Sequence, residues 1–321
     1  MNQVKLNTNK LLSNTVIFAI GNFSSKFMIF LLIPLYTRCL STSEYGMIDL
    51  ITTTITLLLP VFTLTITEAV IRFTLDKENN SEDILSIGIK VVLLGFIPVI
   101  IGAPFLMKLL GTSEYIGYFI ISYLLVAFKQ IFSYYARGCE KVKAFVIISF
   151  LDSLLLFLLN VIFLLIFKKG INGYYYSYIL TEIIIISIWI LTLKIDYKEV
   201  FKSKNKLLAK KMLTYSIPMI PNSVSWWISN TSDKYILKLF AGASATGIYA
   251  AAYKVPSLLN TITGVFIQAW QITAVDEYGK KDKSGFTEVY NYYFGINSII
   301  CSILIIFQDY LEKFCFLIVI N

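Results

Sequence analysis

The chain has 321 residues, 57% hydrophobic and 15% charged, whereas a soluble domain carries roughly 45–50% apolar and about 25% charged residues. It holds no histidine, which excludes a Ser/His/Asp triad, a histidine-ligated metal and a histidine general base, and no cofactor or metal is expected. The formal net charge of +8 needs no nucleic acid, since basic loops beside anionic lipid account for it.

Apolar runs such as Val142 to Phe167 are long enough for a helix to cross about 30 Å of hydrocarbon. They lack period-two alternation, so a helical bundle is expected rather than a barrel. The first run follows Lys5 and Lys10 as a signal peptide would, but continues to Tyr36 with no small-residue cleavage site, and reads as a retained helix. In chain order the predicted spans are 13–36, 46–68, 84–107, 115–136, 144–167, 172–193, 213–239, 246–270 and 286–307. A last apolar stub, Phe314 to Ile320, is too short to span and reads as the start of a tenth helix, so the chain is expected to be C-terminally short. The fold class is therefore an all-α integral membrane protein with about nine to ten transmembrane helices. Cys39, Cys139, Cys301 and Cys315 lie far apart and read as free thiols.

Lysine and arginine placement orients the spans. With the N-terminus cytoplasmic, inside segments carry Lys5, Lys10, Arg72, Lys77, Arg137, Lys141, Lys143, seven lysines from Lys194 to Lys211, and Lys280, Lys281 and Lys283. The outside holds Arg38, Lys108, Lys168, Lys169, Lys234 and Lys238, a bias of 17 to 6 that favours N-in. Residues 195–211 form a basic cytoplasmic linker between a first six-helix bundle, 1–194, and the incomplete start of a second, 212–321.

Offsetting the chain by 201 residues lays Glu44-Tyr45-Gly46-Met47-Ile48 on Ala245-Thr246-Gly247-Ile248-Tyr249 without a gap. Six helices separate the copies, so both run in the same direction and the repeat is parallel. In transporters built this way the substrate path lies between the halves.

Ionisable groups inside spans are costly and mark site candidates. Glu68, Arg72, Lys90 and Lys129 lie near span ends, where snorkelling competes with function. Lys26 and Lys254 lie deeper and in opposite halves, placed to present cations to an anionic head group. Asp152 and Glu182 are also deep, as ion-coupling carboxylates or as internal partners of Lys26. Asp233 and Lys234 read either as an ion pair at a helix end or as site residues. Asn14, Asn22, Thr52 to Thr54, Asn222, Ser223 and Asn230 suit a wet interior or helix packing. Trp226, Trp227, Trp270 and the Tyr174 to Tyr176 run suit sugar stacking or an interfacial belt.

In order along the chain stand Pro34-Leu35-Tyr36-Thr37-Arg38, Glu44-Tyr45-Gly46, Thr67-Glu68-Ala69-Val70-Ile71-Arg72-Phe73, Tyr215-Ser216-Ile217-Pro218-Met219-Ile220-Pro221, Ser232-Asp233-Lys234-Tyr235, Thr246-Gly247-Ile248-Tyr249, Ala252-Tyr253-Lys254 and Gln268-Ala269-Trp270. This series resembles the Wzx-type polysaccharide repeat-unit flippases, the polysaccharide-synthesis branch of the MOP exporter superfamily. The resemblance implies a MATE-like bundle of two parallel-repeat halves around a cationic cavity. It also implies translocation of undecaprenyl-pyrophosphate-linked oligosaccharide across a bacterial cytoplasmic (inner) membrane, for O-antigen, other lipopolysaccharide, capsule or exopolysaccharide synthesis. By the matching motifs Arg38, Arg72, Lys254 and the Asp233–Lys234 pair are implied family positions, with Arg72, Lys254 and Lys234 as cavity cations; Asp233 and Glu68 are further candidates for ion-coupling or pairing carboxylates. Membrane lipid, a polysaccharide polymerase and chain-length proteins are the implied partners. A multidrug or cation exporter of the same fold is the nearest alternative and favours acidic cavity residues. A membrane enzyme needs a large external loop, and every predicted outside loop is short, so no catalytic residue is assigned; a scaffold for polysaccharide enzymes is a third reading.

Overall fold

The protein is seen in a computed structural model that describes residues 28, 31–76, 79–195 and 205–253, the backbone of 254–278, and positions 291, 294–295, 298–299, 301–302 and 305–306. Among the described residues there is no strand. The helices are α1 (31–39), α2 (Thr42–Phe62), α3 (Ile66–Leu75), α4 (Ser81–Leu109), α5 (Ile116–Gly138), α6 (Val142–Asn160), α7 (Gly170–Leu193), α8 (Lys206–Ser216) and α9 (Ile220–Tyr278). A single 3₁₀ turn, Ser113–Tyr115, leads into α5, a second, Ile217–Met219, into α9, and α6 widens into a π-helical stretch, Val161–Ile166. Among the described residues five stretches, Thr42–Phe62, Ser81–Leu109, Ser113–Gly138, Val142–Ile166 and Gly170–Leu193, are long and apolar enough to cross a membrane.

Local signals set the helix ends. At the start of α2 the Glu44 backbone N–H donates to Ser41 Oγ at 3.2 Å, and the Ser41 N–H donates to Glu44 Oε2 at 2.8 Å. This reciprocal cap satisfies two donors that a helix start leaves open. Asn80 Oδ1 caps α4 by accepting from Glu82 N at 2.9 Å, and Asn205 Oδ1 caps α8 by accepting from Leu208 N at 3.0 Å. The second predicted span, 46–68, is not one helix. Pro60 supplies no N–H inside α2, and Leu64 and Thr65 then adopt left-handed backbone with φ of 53° and 47°, which separates α2 from α3. Two hydrogen bonds hold that turn: Thr65 N to Pro60 O at 3.0 Å, and Thr65 Oγ1 to Ser216 O of α8 at 2.6 Å.

Helices α3 to α7 pack around Phe119, Tyr123, Ile131, Ile185 and Trp189, all nearly or fully buried. Their outward faces carry Leu94, Ile101, Phe105, Ile183 and Leu191, exposed as a lipid-facing surface requires. The Lys141 ammonium reaches Thr192 O, Asn205 reaches Asp83, and Arg72 lies over Tyr215, so these ends share one basic face. At the opposite face Tyr118 donates to Asn172, and Gly111 lies near the Lys238 ammonium. Cys39, Cys139 and Cys301 are free thiols, and burial pushes the Cys139 thiol up.

The 201-residue offset has a spatial counterpart. Helix α9 breaks at Gly242, with φ 83° and ψ 178°, and the residue 201 positions earlier is Ser41, where α1 gives way to α2. Beyond these paired breaks, α2 crosses the second arm of α9, and α2 packs more against α9 than against its own bundle. A Cβ on Gly46 would overlap the Ala243 carbonyl and lie 2.9 Å from Gly247 N; a Cβ on Gly247 would overlap the Thr42 carbonyl and lie 3.0 Å from Gly46 N. Thr42 and Ala243 are themselves one offset apart, so the contact is symmetric about a local two-fold axis. Small residues four apart, Thr42 with Gly46 and Ala243 with Gly247, let two backbones touch where no hydrophobic force between lipid-soluble helices would hold them. Thr42 Oγ1 and Ser244 Oγ share a hydrogen bond at 2.6 Å beside the crossing.

Gly46→Ala and Gly247→Ala are each expected to cost about 2 kcal/mol or more, because the obstructing atoms are backbone. Gly117→Ala, whose Cβ would meet nothing within 4 Å, is expected to be neutral. Thermal unfolding of the detergent-solubilised variants reads the difference, and equal midpoints for Gly46→Ala and Gly117→Ala would contradict the tight crossing.

Candidate functional site

From the crossing toward the basic face, α2 is joined to the first arm of α9 by a ladder of polar contacts. Lys234 Nζ lies 2.7 Å from Asp49 Oδ2, and only 9% of either side chain is exposed. Thr54 Oγ1 and Tyr235 Oη share a hydrogen bond at 2.6 Å. The Trp227 indole N–H donates to Thr53 O at 3.0 Å and to Thr56 Oγ1 at 3.2 Å. Asp233, one residue from the buried lysine, is exposed and accepts from the Tyr249 hydroxyl and from the Lys234 backbone N–H. Polar groups buried between apolar helices demand partners, and the Asp49–Lys234, Thr54–Tyr235 and Thr53–Trp227 contacts each join the two halves of the repeat.

Past Trp227 the halves separate around a cavity of about 630 Å³, inside the ~300–1,000 Å³ range of ligand sites. Its walls are Thr56, Leu59, Pro60 and Thr63 of α2 and the following turn, Thr65, Thr67 and Glu68 leading into α3, Gln130 and Tyr134 of α5, and Asn222, Ser223, Trp226, Trp227 and Thr231 of α9. The lining is hydroxyls, carboxamides and aromatic rings. Glu68 is the one charged residue among the described lining residues. Arg137 stands behind Tyr134, its guanidinium 4.0 Å from the ring centroid. Arg72 is exposed on α3 with its guanidinium 5.0 Å from the Tyr215 ring, toward the basic face and outside the lining.

A second cluster lies inside the first bundle. Lys129 donates to Asp152 Oδ2 at 2.9 Å and to Glu182 Oε1, so two carboxylates share one ammonium and the group carries a net negative charge when fully ionised. Glu182 is 2% exposed. Lys129 therefore ends in an ion-pair network rather than at the membrane interface. The side chains of Lys129, Gln130, Asp152 and Trp189 line a small cavity of about 120 Å³. Gln130 lines both cavities and is the physical link between this cluster and the space between the halves.

Of the residues singled out from sequence, Glu68 lines the main cavity, and Lys234 sits in the ladder above it. Asp152 and Glu182 come together on Lys129, and Arg72 stands apart. Lys26 and the side chain of Lys254 lie outside the described residues. Asp49 is the functional candidate that sequence reasoning missed. Its signal was present: it is a carboxylate two turns inside an apolar span, and it carries the same cost in lipid as Asp152.

The architecture is a multi-pass helical membrane fold that solved transporter structures share. Solved structures with the same fold include an inward-facing multidrug resistance MATE transporter of the MOP superfamily, at TM-score 0.72 and 15% identity over 92% of this chain and 75% of that one. The outward-facing MATE structure aligns at TM-score 0.67 and 15% identity, over 94% and 73%. A MOP superfamily transporter from Pyrococcus furiosus Vc1, described as having a binding pocket of reversed polarity, aligns at 0.66 and 14%, over 96% and 74%. The chain belongs to the polysaccharide biosynthesis protein family, whose model matches residues 11–271. A search of curated proteins finds no match. The fold is one that membrane transporters share.

Removing one member of the buried cross-half pair strands the other, so Lys234→Ala is expected to destabilise by about 3 kcal/mol. Asp49→Ala with Lys234→Ala is expected to cost less than the two single changes together, by ~1–3 kcal/mol. A double-mutant cycle on thermal unfolding measures the coupling, and simple additivity would mean that the pair holds nothing together.

Proposed function

We propose that the chain is a flippase for lipid-linked oligosaccharide, moving an undecaprenyl-pyrophosphate-linked repeat unit from the inner to the outer leaflet of a bacterial cytoplasmic membrane for O-antigen, capsule or exopolysaccharide assembly. The observation that carries the reading is the cavity between the halves, lined by hydroxyls, carboxamides and two tryptophans, in a chain of the polysaccharide biosynthesis family. Sugars offer hydroxyl donors and acceptors together with C–H faces that stack on aromatic rings. Trp226 is 71% exposed and lines the cavity, which leaves ring surface for such stacking.

In the mechanism the oligosaccharide enters from the basic side while its polyprenyl tail stays in the bilayer. Lys26 and Lys254 bind the pyrophosphate as mobile point charges, and Arg72 guides it from the basic face. The halves 1–194 and 212–321, joined by the basic linker 195–211, then rock about the glycine crossing and release the sugars on the other side, where polymerase and chain-length proteins act. No covalent bond changes. Asp152 and Glu182 serve ion coupling: a proton or cation taken up by this excess-carboxylate group shifts Lys129, and Gln130 carries the shift to the main cavity. With the N-terminus cytoplasmic, the basic face is the cytoplasmic one.

Complementation of a flippase-null strain tests the assignment. The intact chain is expected to restore surface polysaccharide, and Lys26→Ala with Lys254→Ala to reduce it at least tenfold at equal membrane abundance. Full restoration by the double variant would remove the pyrophosphate role of the two lysines. Glu182→Gln is expected to leave translocation in proteoliposomes unresponsive to an imposed proton or sodium gradient; a response equal to that of the wild type would remove the carboxylates from coupling.

A second reading, export of a cationic compound, is favoured by one observation, that Glu68 is the single charge among the described lining residues. Drug efflux abolished by Glu68→Gln, with no flipping of lipid-linked oligosaccharide by either form, would decide for it.

A further inference from the structure

Glu68 sits in the first turn of α3, in the wall of the inter-half cavity and next to Thr67. Across the space are the carboxamides of Gln130 and Asn222 and the exposed ring of Trp226. Its carboxylate accepts from the Tyr134 hydroxyl, and the described cations of the surrounding helices make other contacts. Lys234 pairs with Asp49, Arg137 lies over the Tyr134 and Phe145 rings, and Arg72 lies over Tyr215 outside the lining. The sugar-facing part of the cavity, as described, is therefore polar with one negative charge.

We infer, on the basis of the lipid-linked oligosaccharide reading, that Glu68 is a specificity residue that makes the cavity accept uncharged sugars and reject uronic acids. A carboxylate is an acceptor only. Facing a neutral sugar it accepts from hydroxyl groups in charge-assisted hydrogen bonds, which are the strong kind. Facing the C6 carboxylate of a uronate it meets a like charge where the neutral sugar offers a hydroxyl donor, in a cavity where protein and lipid replace much of the water that would screen the repulsion. The carboxamides and hydroxyls around it can turn a donor or an acceptor to either sugar, so among the described lining residues Glu68 is the one that sets a like charge against a uronate. Selection by a repulsive element rather than by extra attraction also fits a transporter, which must release what it binds. The pyrophosphate is kept away from this wall for the same reason, leaving the two ends of the substrate in separate electrostatic environments.

The test uses the full chain in lipid nanodiscs and two synthetic polyprenyl-pyrophosphate disaccharides that differ only at C6 of one sugar, a hydroxymethyl in one and a carboxylate in the other. The wild type is expected to bind the neutral probe at least ~10-fold more tightly than the uronate probe. The near-isosteric Glu68→Gln is expected to bring the ratio to within about twofold by tightening the uronate probe, with the neutral probe changed less. Glu82→Gln, on the exposed first turn of α4, is expected to leave the ratio as in the wild type. A wild-type ratio near one, which needs no variant to measure, or a ratio unchanged in Glu68→Gln, overturns the inference and leaves the flippase reading standing. If the wild type binds neither probe, the flippase reading itself falls, and this inference with it.

Discussion

The structure depends on a contact that only glycine permits. At Gly46 and Gly247 the two copies of the repeat bring backbone against backbone, and a single methyl on either residue would strike a carbonyl of the other helix. Helices in lipid gain nothing from hiding apolar surface from one another, so they are joined by close van der Waals contact and by polar groups with no other partner. The crossing supplies the first. The contacts that follow it along α2 and α9, namely the Thr42–Ser244 hydrogen bond, the Asp49–Lys234 ion pair, the Thr54–Tyr235 hydrogen bond and the Trp227 anchor, supply the second. A cavity opens on the basic side because the ladder ends at Trp227 and the facing helices diverge.

Symmetry at the crossing does not extend to the rest. Asp49 has Ala250 as its counterpart one offset later, and Lys234 has Ile33 one offset earlier, so the buried ion pair occurs once and not twice. Likewise the first bundle contains the Lys129–Asp152–Glu182 cluster on α5, α6 and α7. Thr65, the second residue of the left-handed pair, lies at the cavity wall, where backbone strain tends to gather at moving or binding parts.

Much of the fold was legible in the sequence for plain reasons. Length and apolarity mark spans because lipid forbids unpaired backbone, and the 201-residue repeat was visible because the glycines at its heart tolerate no substitute. The break between α2 and α3 was less so: the left-handed backbone at Leu64 and Thr65 goes with a tertiary hydrogen bond, from the Thr65 hydroxyl to Ser216 O, that no local pattern announces. Partner choice among buried charges was the least legible. Hydropathy identifies Lys129, Asp152, Glu182, Lys234 and Asp49 as costly in lipid but does not say which face each occupies. Lys129 reads as a snorkelling residue until α6 and α7 place two carboxylates beside it, and Lys234 reads as the partner of adjacent Asp233 until α2 brings Asp49 across.

If the halves pivot at the glycine crossing, the hydroxyl pair beside it is displaced least and stays together through the transport cycle. In a chain with its native cysteines replaced, Thr42→Cys and Ser244→Cys put two thiols where the oxygens now stand 2.6 Å apart. Oxidation is expected to join them nearly completely and to leave translocation of lipid-linked oligosaccharide in proteoliposomes undiminished. Failure of the thiols to join, or translocation stopped by the disulfide and restored by reductant, would contradict the pivot.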